Sequence, residues 1–230
     1  MEQEKSTSAL KLISSYDEID NVHTFVFETG GLKWLAGQSQ GYILQRAGAT
    51  EKENQHWFTI SSAPSEGTIN ISTRISESAF KQALNAMKPG DEIRAHSLGG
   101  DFVWEEADSV PVILVAAGIG VTPFRSILLE RKALSKPLNV TLLYFNRTDG
   151  VPFEKELQKL SQEHSEFILK IMIGEPITAD KIFELAPQAG VETVYLSGPA
   201  PMVKSIGAEL KERGVTIKED QFPGYNENNY

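Results

Sequence analysis

Three short stretches carry the residue types that could do chemistry. "HWFTISSAP", His56 to Pro64, gathers one titratable ring, two aromatics and three hydroxyls within a strand and its exit. Side chains alternate along a strand, so His56, Phe58, Ile60 and Ser62 share one side and Trp57, Thr59 and Ser61 the other. A flat ring could stack on Phe58, with its polar edge met by the Thr59 hydroxyl or backbone, while His56 approaches a phosphate. The same residues also suit a core strand whose hydroxyls are capped. "VAAGIGVTPF" places Gly118 and Gly120 where a buried strand must turn sharply into a helix. Glycine there permits close approach of a second backbone or of a pyrophosphate, and the free N–H groups of a helix start favour an anion. Thr122 and Pro123 suit the helix entry. The stretch lacks the third glycine of the usual dinucleotide fingerprint, and alone it fits an ordinary strand-to-helix turn. "YLSGPAPMV", Tyr195 to Val203, repeats the arrangement, with Gly198 and Pro199 at a strand end and Met202 suited to packing at the helix start. Two such turns facing one crevice form a ligand site of open α/β sheets.

The elements that must position these residues fall into two regimes. From Leu10 to about Trp104, "LKLISSYDEI", "VHTFVFET", "GYILQRAG", "HWFTISSAP", "TINISTRI" and "DEIRAHSL" read as six short strands, punctuated by Gly, Pro, Asp and Asn. That pattern predicts a small β-barrel or sandwich. Phe80, Leu84 and Met87 recur at helical spacing inside it, and Pro89-Gly90-Asp91 ends that helix. After Asp108, "VPVILVAAG", "LNVTLLYFN", "EFILKIMIG" and "TVYLSG" alternate with helical stretches, which predicts a parallel sheet covered on both faces. The boundary is placed between residues 106 and 107.

Composition narrows the chemistry. The chain has 230 residues, enough for two domains, with 40% hydrophobic and 23% charged residues. A net charge of −9, from 22 basic and 31 acidic residues, argues against nucleic acid as the main partner. The absence of cysteine removes disulfides, thiolate nucleophiles and thiolate-bound metal clusters, so redox chemistry would need an organic cofactor. The four histidines are scattered without ligand spacing, so no metal site is expected. No apolar run has the length of a spanning helix, and the first twenty residues read as neither signal nor anchor. A cytoplasmic location is the expectation.

Taken in order, "AGQ" at Ala36 to Gln38, "HWFTISSAP", "GDEIRAHSLGGDF", "AAGIGVTPF", "YFNR" and "SGPAPMV" resemble the ferredoxin–NADP reductase superfamily across nearly the whole chain. The histidine form of the barrel motif is most similar to the reductase domains of ferric reductases and NADPH oxidases. The resemblance implies an antiparallel six-stranded flavin-binding β-barrel over residues 1–106, followed by a doubly wound parallel-sheet nucleotide-binding domain over residues 107–230. It implies contact with flavin phosphate at His56, aromatic packing on the isoalloxazine at Phe58, and a hydroxyl near flavin N5 at Thr59. Trp57, Ser61 and Ser62 complete that motif, and Arg74 stands on a strand where the family often places a base near the phosphates. Histidine in place of the family's arginine cannot make a bidentate phosphate clamp. "SLGG", Ser97 to Gly100, aligns with the family's G-P-x-G but keeps only its final glycine, leaving Gly99 and Gly100 as the cofactor contacts.

In the second domain the resemblance assigns Gly118, Gly120, Thr122 and Pro123 to the nicotinamide nucleotide. Gly198, Pro199 and Met202 join them, and Ser197 stands where many members have a cysteine near hydride transfer. Arg147, at the end of the second strand, tilts the choice toward NADPH, although a solvated loop arginine fits as well. The late aromatics are Phe222, Tyr225 and Tyr230; Tyr225 is the candidate to cover the flavin. The implied activity is hydride transfer from NAD(P)H to FAD, with FMN as the alternative cofactor, and onward transfer to a protein or small-molecule acceptor. Two alternatives stand beside it: an NAD(P)H:flavin reductase that releases its flavin, and an electron-transfer subunit without turnover of its own. The chain itself has no membrane insertion in this reading, which leaves open a membrane partner.

Overall fold

The computed structural model describes residues 7–105, 110–186 and 193–222. Contacts divide the chain into two compact units, residues 1–103 and 104–230. Trp104 goes with the second unit because the Arg131 guanidinium lies over its indole at 4.1 Å, and Glu105 pairs with Lys218 at 2.6 Å.

The first unit is one six-stranded antiparallel sheet built from β1 (Ser8–Ile19), β2 (Val22–Phe27), β3 (Ser39–Ile43), β4 (Gln55–Thr59), β5 (Ile69–Arg74) and β6 (Glu92–Gly99). Their order is β4-β3-β6-β1-β2-β5. The long β1 is shared: residues 8–11 pair with β6, and the stretch from Leu12 onward pairs with β2. The sheet curls until its edge strands meet again just past β4, at a single bridge between Ile60 and Ile71. Closure is therefore partial, and the expected six-stranded barrel is a half-open one. Alternation sends Leu10, Leu12, Phe25, Phe27, Tyr42, Phe58, Ile69, Ile71, Ile93 and Ala95 inward, where helix α1 (Ala79–Ala86) adds Phe80 and Leu84 to the core.

The second unit is a five-stranded parallel sheet of β7 (Val112–Ala117), β8 (Val140–Asn146), β9 (Phe167–Ile173), β10 (Thr193–Pro199) and β11 (Thr216–Phe222). The order β11-β10-β7-β8-β9 reverses direction between β7 and β10, as in a doubly wound fold. β7, β8 and β10 are buried at every position, as central strands covered on both faces must be. Helices α4 (Ala179–Leu185) and α5 (Ala200–Glu212) pack Ile182, Val203, Ile206 and Leu210 onto Ile113, Val115 and Leu196. The opposite face is left for α2 (Thr122–Ala133) and α3 (Glu154–Glu163). These two are joined by the nearly buried Arg125, whose Nε and Nη2 donate to both Glu156 oxygens at 2.7 and 3.1 Å. Among the described residues, no helix is long and apolar enough to cross a membrane.

Candidate functional site

In the first unit, β4 runs antiparallel to β3 with Tyr42 opposite His56, Gly41 opposite Trp57, Gln40 opposite Phe58 and Ser39 opposite Thr59. His56 and Phe58 do share one side, as alternation requires, but that side is the core. Phe58 is 7% exposed, and its ring lies 4.4 Å from the His56 ring, with Phe80 close to both. The backbone N–H of Trp57 donates to His56 Nδ1 at 3.0 Å. Burial, reinforced by the Lys81 ammonium nearby, pushes the imidazole down to about 4. His56 is thus neutral at neutral pH, its Nδ1 is an acceptor, and its remaining donor is Nε2–H. Lys81 lies in the first turn of α1, buried, and its Nζ donates to the carbonyl of Arg74 at 3.0 Å. Arg74 closes β5 with its Nε buried and without an acceptor.

Trp57 and Thr59 take the other side of β4. Trp57 is 45% exposed and meets the His96 ring edge-on at 5.8 Å, and a Cβ on Gly99 would stand 3.2 Å from its indole. Gly99 therefore makes room for the indole. Two residues before it, Ser97 adopts φ 42°, in the left-handed region that favours glycine. This residue is the extra one in a bulge, since Gly41 pairs with His96 and Gln40 with Leu98. Gly100 follows at φ 94°, its carbonyl accepting from the Gln38 side chain. Ser61 and Ser62 are not gathered with these residues. Ser61 Oγ donates to the Asn70 carbonyl at 3.1 Å and bonds Ser72 Oγ at 2.7 Å, which in turn bonds Thr24 Oγ1 at 2.8 Å. Ser62 Oγ donates to the Thr68 carbonyl and accepts from Asn70 N–H. These hydroxyls staple the point where the sheet closes on itself.

In the second unit the two glycine turns come together. β7 passes through a single 3-10 turn, Gly118–Val121, straight into α2, with Gly118 at φ 55° and Pro123 in the first helical turn. Thr122 Oγ1 donates to the Ile119 carbonyl at 3.1 Å, closing that turn. A Cβ on Gly120 would stand 2.4 Å from the Ser197 carbonyl oxygen and 2.8 Å from Gly198 Cα. A Cβ on Gly198 would in turn stand 2.8 Å from both the Ala117 Cβ and the Met202 methyl. Each glycine is required by the other turn, and Met202 fills the space beside Gly198. Ser197 is fully buried and its hydroxyl donates to Asp220 Oδ2 at 3.4 Å, from the position opposite it on β11. The sequence pattern did not single out Asp220, because its partner is fixed only by the register of two strands.

Arg147 lies apart from these turns. With Phe145, Asn146, Gly174, Glu175 and Pro176 it lines a cavity of about 320 Å³ beyond the ends of β8 and β9. Asn146 Nδ2 donates to the carbonyls of Thr148 and Gly150, both at 2.8 Å, and so folds the loop that carries Arg147. Glu175 is a second residue the pattern missed. Tyr225 and Tyr230 lie outside the described residues. No group of metal-ligating side chains occurs among the described residues.

Residues 114–207, which hold both glycine turns, match the model of the oxidoreductase NAD-binding domain. A flavohemoprotein of Candida albicans (strain SC5314 / ATCC MYA-2876) is 27% identical over 195 residues, covering 76% of this chain and 48% of its own length. The flavohem-like FAD/NAD binding domain of nitric oxide dioxygenase from Vibrio cholerae O1 biovar El Tor superposes with a TM-score of 0.76 at 22% identity, covering 94% of this chain and 98% of that one. A ferredoxin NADP+ reductase from Neisseria gonorrhoeae does so with a TM-score of 0.77 at 16% identity, covering 95% and 99%. The chain shares the two-domain fold of these structures. It spans about half the length of the curated relatives it matches. The stretch matched by the domain model ends before β11, so Asp220 lies beyond it.

Proposed function

We propose that the chain is an NAD(P)H-dependent flavoprotein reductase, with FAD held by residues 1–106 and the nicotinamide dinucleotide by residues 107–230. The observation that carries this reading is the meeting of the Gly118–Thr122 and Ser197–Pro199 turns at the ends of β7 and β10, where the strand order reverses. FAD, or FMN in its place, supplies when bound a ring that accepts hydride from the nicotinamide and passes electrons on.

The chain's own residues bind and orient. Gly118 and Gly120 let the backbone of the α2 entry approach a pyrophosphate closely, and Thr122 and Pro123 shape the first helical turn beside it. Ser197, Gly198, Pro199 and Met202 border the nicotinamide, with the Ser197 hydroxyl fixed by Asp220. In the first unit Thr59 offers the hydroxyl for the flavin N5 region; Trp57, Gly99 and Gly100 border the ring and its tail, and Tyr225 is the late aromatic. The orphaned Nε of Arg74 fits a flavin phosphate better than the neutral His56, which offers one N–H and no charge. Arg147 is a cation suited to a 2′-phosphate, the basis for expecting NADPH; Glu175 shares its cavity and opposes that charge. The electrons go on to a protein or small-molecule acceptor, in the cytoplasm.

His56 favours a second reading, in which flavin is a released substrate. A half-buried neutral imidazole in the place of the family's arginine weakens phosphate retention. Two measurements test the pair. Flavin-loaded protein should reduce ferricyanide with NADH or NADPH, and an inert protein with bound flavin would instead be an electron-transfer subunit. A yellow complex of one flavin per chain surviving gel filtration sinks the released-substrate reading.

A further inference from the structure

Among the described residues, β9 has a strand neighbour on one side only, β8. The ladder between the two fixes which backbone groups of β9 face outward. The Glu166 carbonyl accepts from Val140 N–H, and Gly174 N–H donates to the Asn146 carbonyl, so even-numbered residues turn their N–H and C=O toward β8. Odd-numbered residues turn theirs away. Phe167 has spent both of its groups, the N–H on the His164 carbonyl and the carbonyl on Ser161 Oγ. Leu169, Ile171 and Ile173 thus present a row of outward donors and acceptors, the template on which another strand adds.

Edges of this kind are commonly blunted by charge, and this one is not. Residues 167–174 read FILKIMIG, with no carboxylate in a chain of net charge −9. The one cation, Lys170, is folded back, its Nζ donating to the Leu185 carbonyl at the end of α4 at 2.5 Å. Ile168 and Ile173 are 43% and 42% exposed. We propose that β9 is the contact of a homodimer, in which two copies of the chain join these strands antiparallel about a twofold axis through Ile171. The free groups set that register. Leu169 then faces the partner's Ile173, Ile171 faces the partner's Ile171 and Lys170 faces the partner's Met172, so all three free residues pair with one another. An axis one residue earlier would set Lys170 against the partner's Lys170, and an axis at Leu169 would ask Ile171 to pair with the already bonded Phe167. A second copy is the occupant this pattern selects, because the aliphatic row is complementary to itself and the edge lacks the acidic charge by which copies of this chain otherwise repel. A lone strand edge buries less than the roughly 1,200–2,000 Å² of a standard interface, so the dimer forms in the micromolar range.

The chain has no cysteine, so a single introduced thiol reports a single contact. Facing residues of a bonded antiparallel pair have Cα atoms about 5.5 Å apart, within disulfide reach. Under mild oxidation of the full chain, Ile171→Cys should give a covalent dimer about tenfold or more faster than Ile168→Cys, which faces the partner's Gly174 instead of its own copy. Random collision would favour Ile168, the more exposed of the two. Sedimentation of the wild type across the micromolar range should show a monomer–dimer equilibrium. Ile173→Lys should weaken it by about tenfold or more, since each dimer loses both Leu169–Ile173 contacts and must cover two ammonium groups. A wild type that stays monomeric, a dimer that Ile173→Lys leaves intact, or cross-linking no faster at Ile171 than at Ile168 would overturn the proposal. None of these readouts involves flavin or dinucleotide, so the reductase reading stands or falls separately.

Discussion

Two glycine-to-alanine substitutions that look alike on distance should have opposite outcomes. A Cβ on Gly120 stands 2.4 Å from the Ser197 carbonyl oxygen, 2.6 Å from its carbon and 2.8 Å from Gly198 Cα, all backbone of the facing turn. None of those atoms can swing aside, so the turns must part by about 1 Å to reach ordinary van der Waals contact. Overpacking of that kind costs about 1–3 kcal/mol. At roughly 2–4 °C per kcal/mol for a chain of this size, Gly120→Ala should lower Tm by about 2–12 °C. A Cβ on Gly207 stands just as close, 2.5 Å, to Glu219 Oε1, but that atom is the end of a flexible side chain. Gly207 lies inside α5, where alanine is favoured over glycine by about 1 kcal/mol, against an exposed Lys211–Glu219 pair worth about 0–1 kcal/mol. Gly207→Ala should therefore be neutral or slightly stabilising. Thermal unfolding of both variants, with NADH titration of each, reads the difference; Gly120→Ala should also weaken dinucleotide binding by about tenfold or more, because a shift of that size misplaces the loop. Equal Tm changes in the two variants would refute the packing of one turn against the other.

Other consequences follow from the first unit. His56 sits at about 4 when folded, below its ordinary 6.5, so the unfolded chain binds the extra proton between those values. Its burial thus costs nothing above pH 6.5 and its full penalty below about pH 4; His56→Gln should remove roughly 3 kcal/mol of acid destabilisation across that window, read from urea unfolding at several pH values. An unchanged pH slope would mean the imidazole is not buried as described. Ser97 holds a left-handed φ of 42°, and Ser97→Gly should raise stability by about 1 kcal/mol, as a higher urea midpoint. Ser72→Ala strips a buried hydroxyl from between Thr24 and Ser61 and should lower stability by about 1–3 kcal/mol in the same assay.

What was legible in the sequence was local. The strand at Val112–Ala117 shows as an unbroken apolar run, and Phe80 with Leu84 marks α1 by spacing alone, because burial imposes a period on the chain itself. The glycine turns at Gly118–Gly120 and Gly198 were visible for the same reason. What the pattern could not carry was the partner of each side chain. Asp220 meets Ser197 through the register of β10 on β11, and Glu175 shares a cavity with Arg147 because β8 and β9 end in step. His56 reads as a phosphate contact until Phe58, Phe80 and Lys81 are seen around it, and only the last of these explains its lowered proton affinity beyond burial. Ser61 and Ser62, placed with the cofactor by their motif, spend their hydroxyls on Asn70, Ser72 and Thr68, which lie on or beside a strand eight or more residues away in most of these bonds.

The central claim is that this chain takes hydride from a nicotinamide dinucleotide onto a flavin. Anaerobic stopped-flow mixing of the flavin-loaded protein with NADH and NADPH, each also deuterated at the transferred C4 position, tests it most directly. The expected result is loss of the flavin's visible absorbance in a single turnover, slowed by deuterium. Flavin that stays oxidised in the presence of either dinucleotide would contradict it.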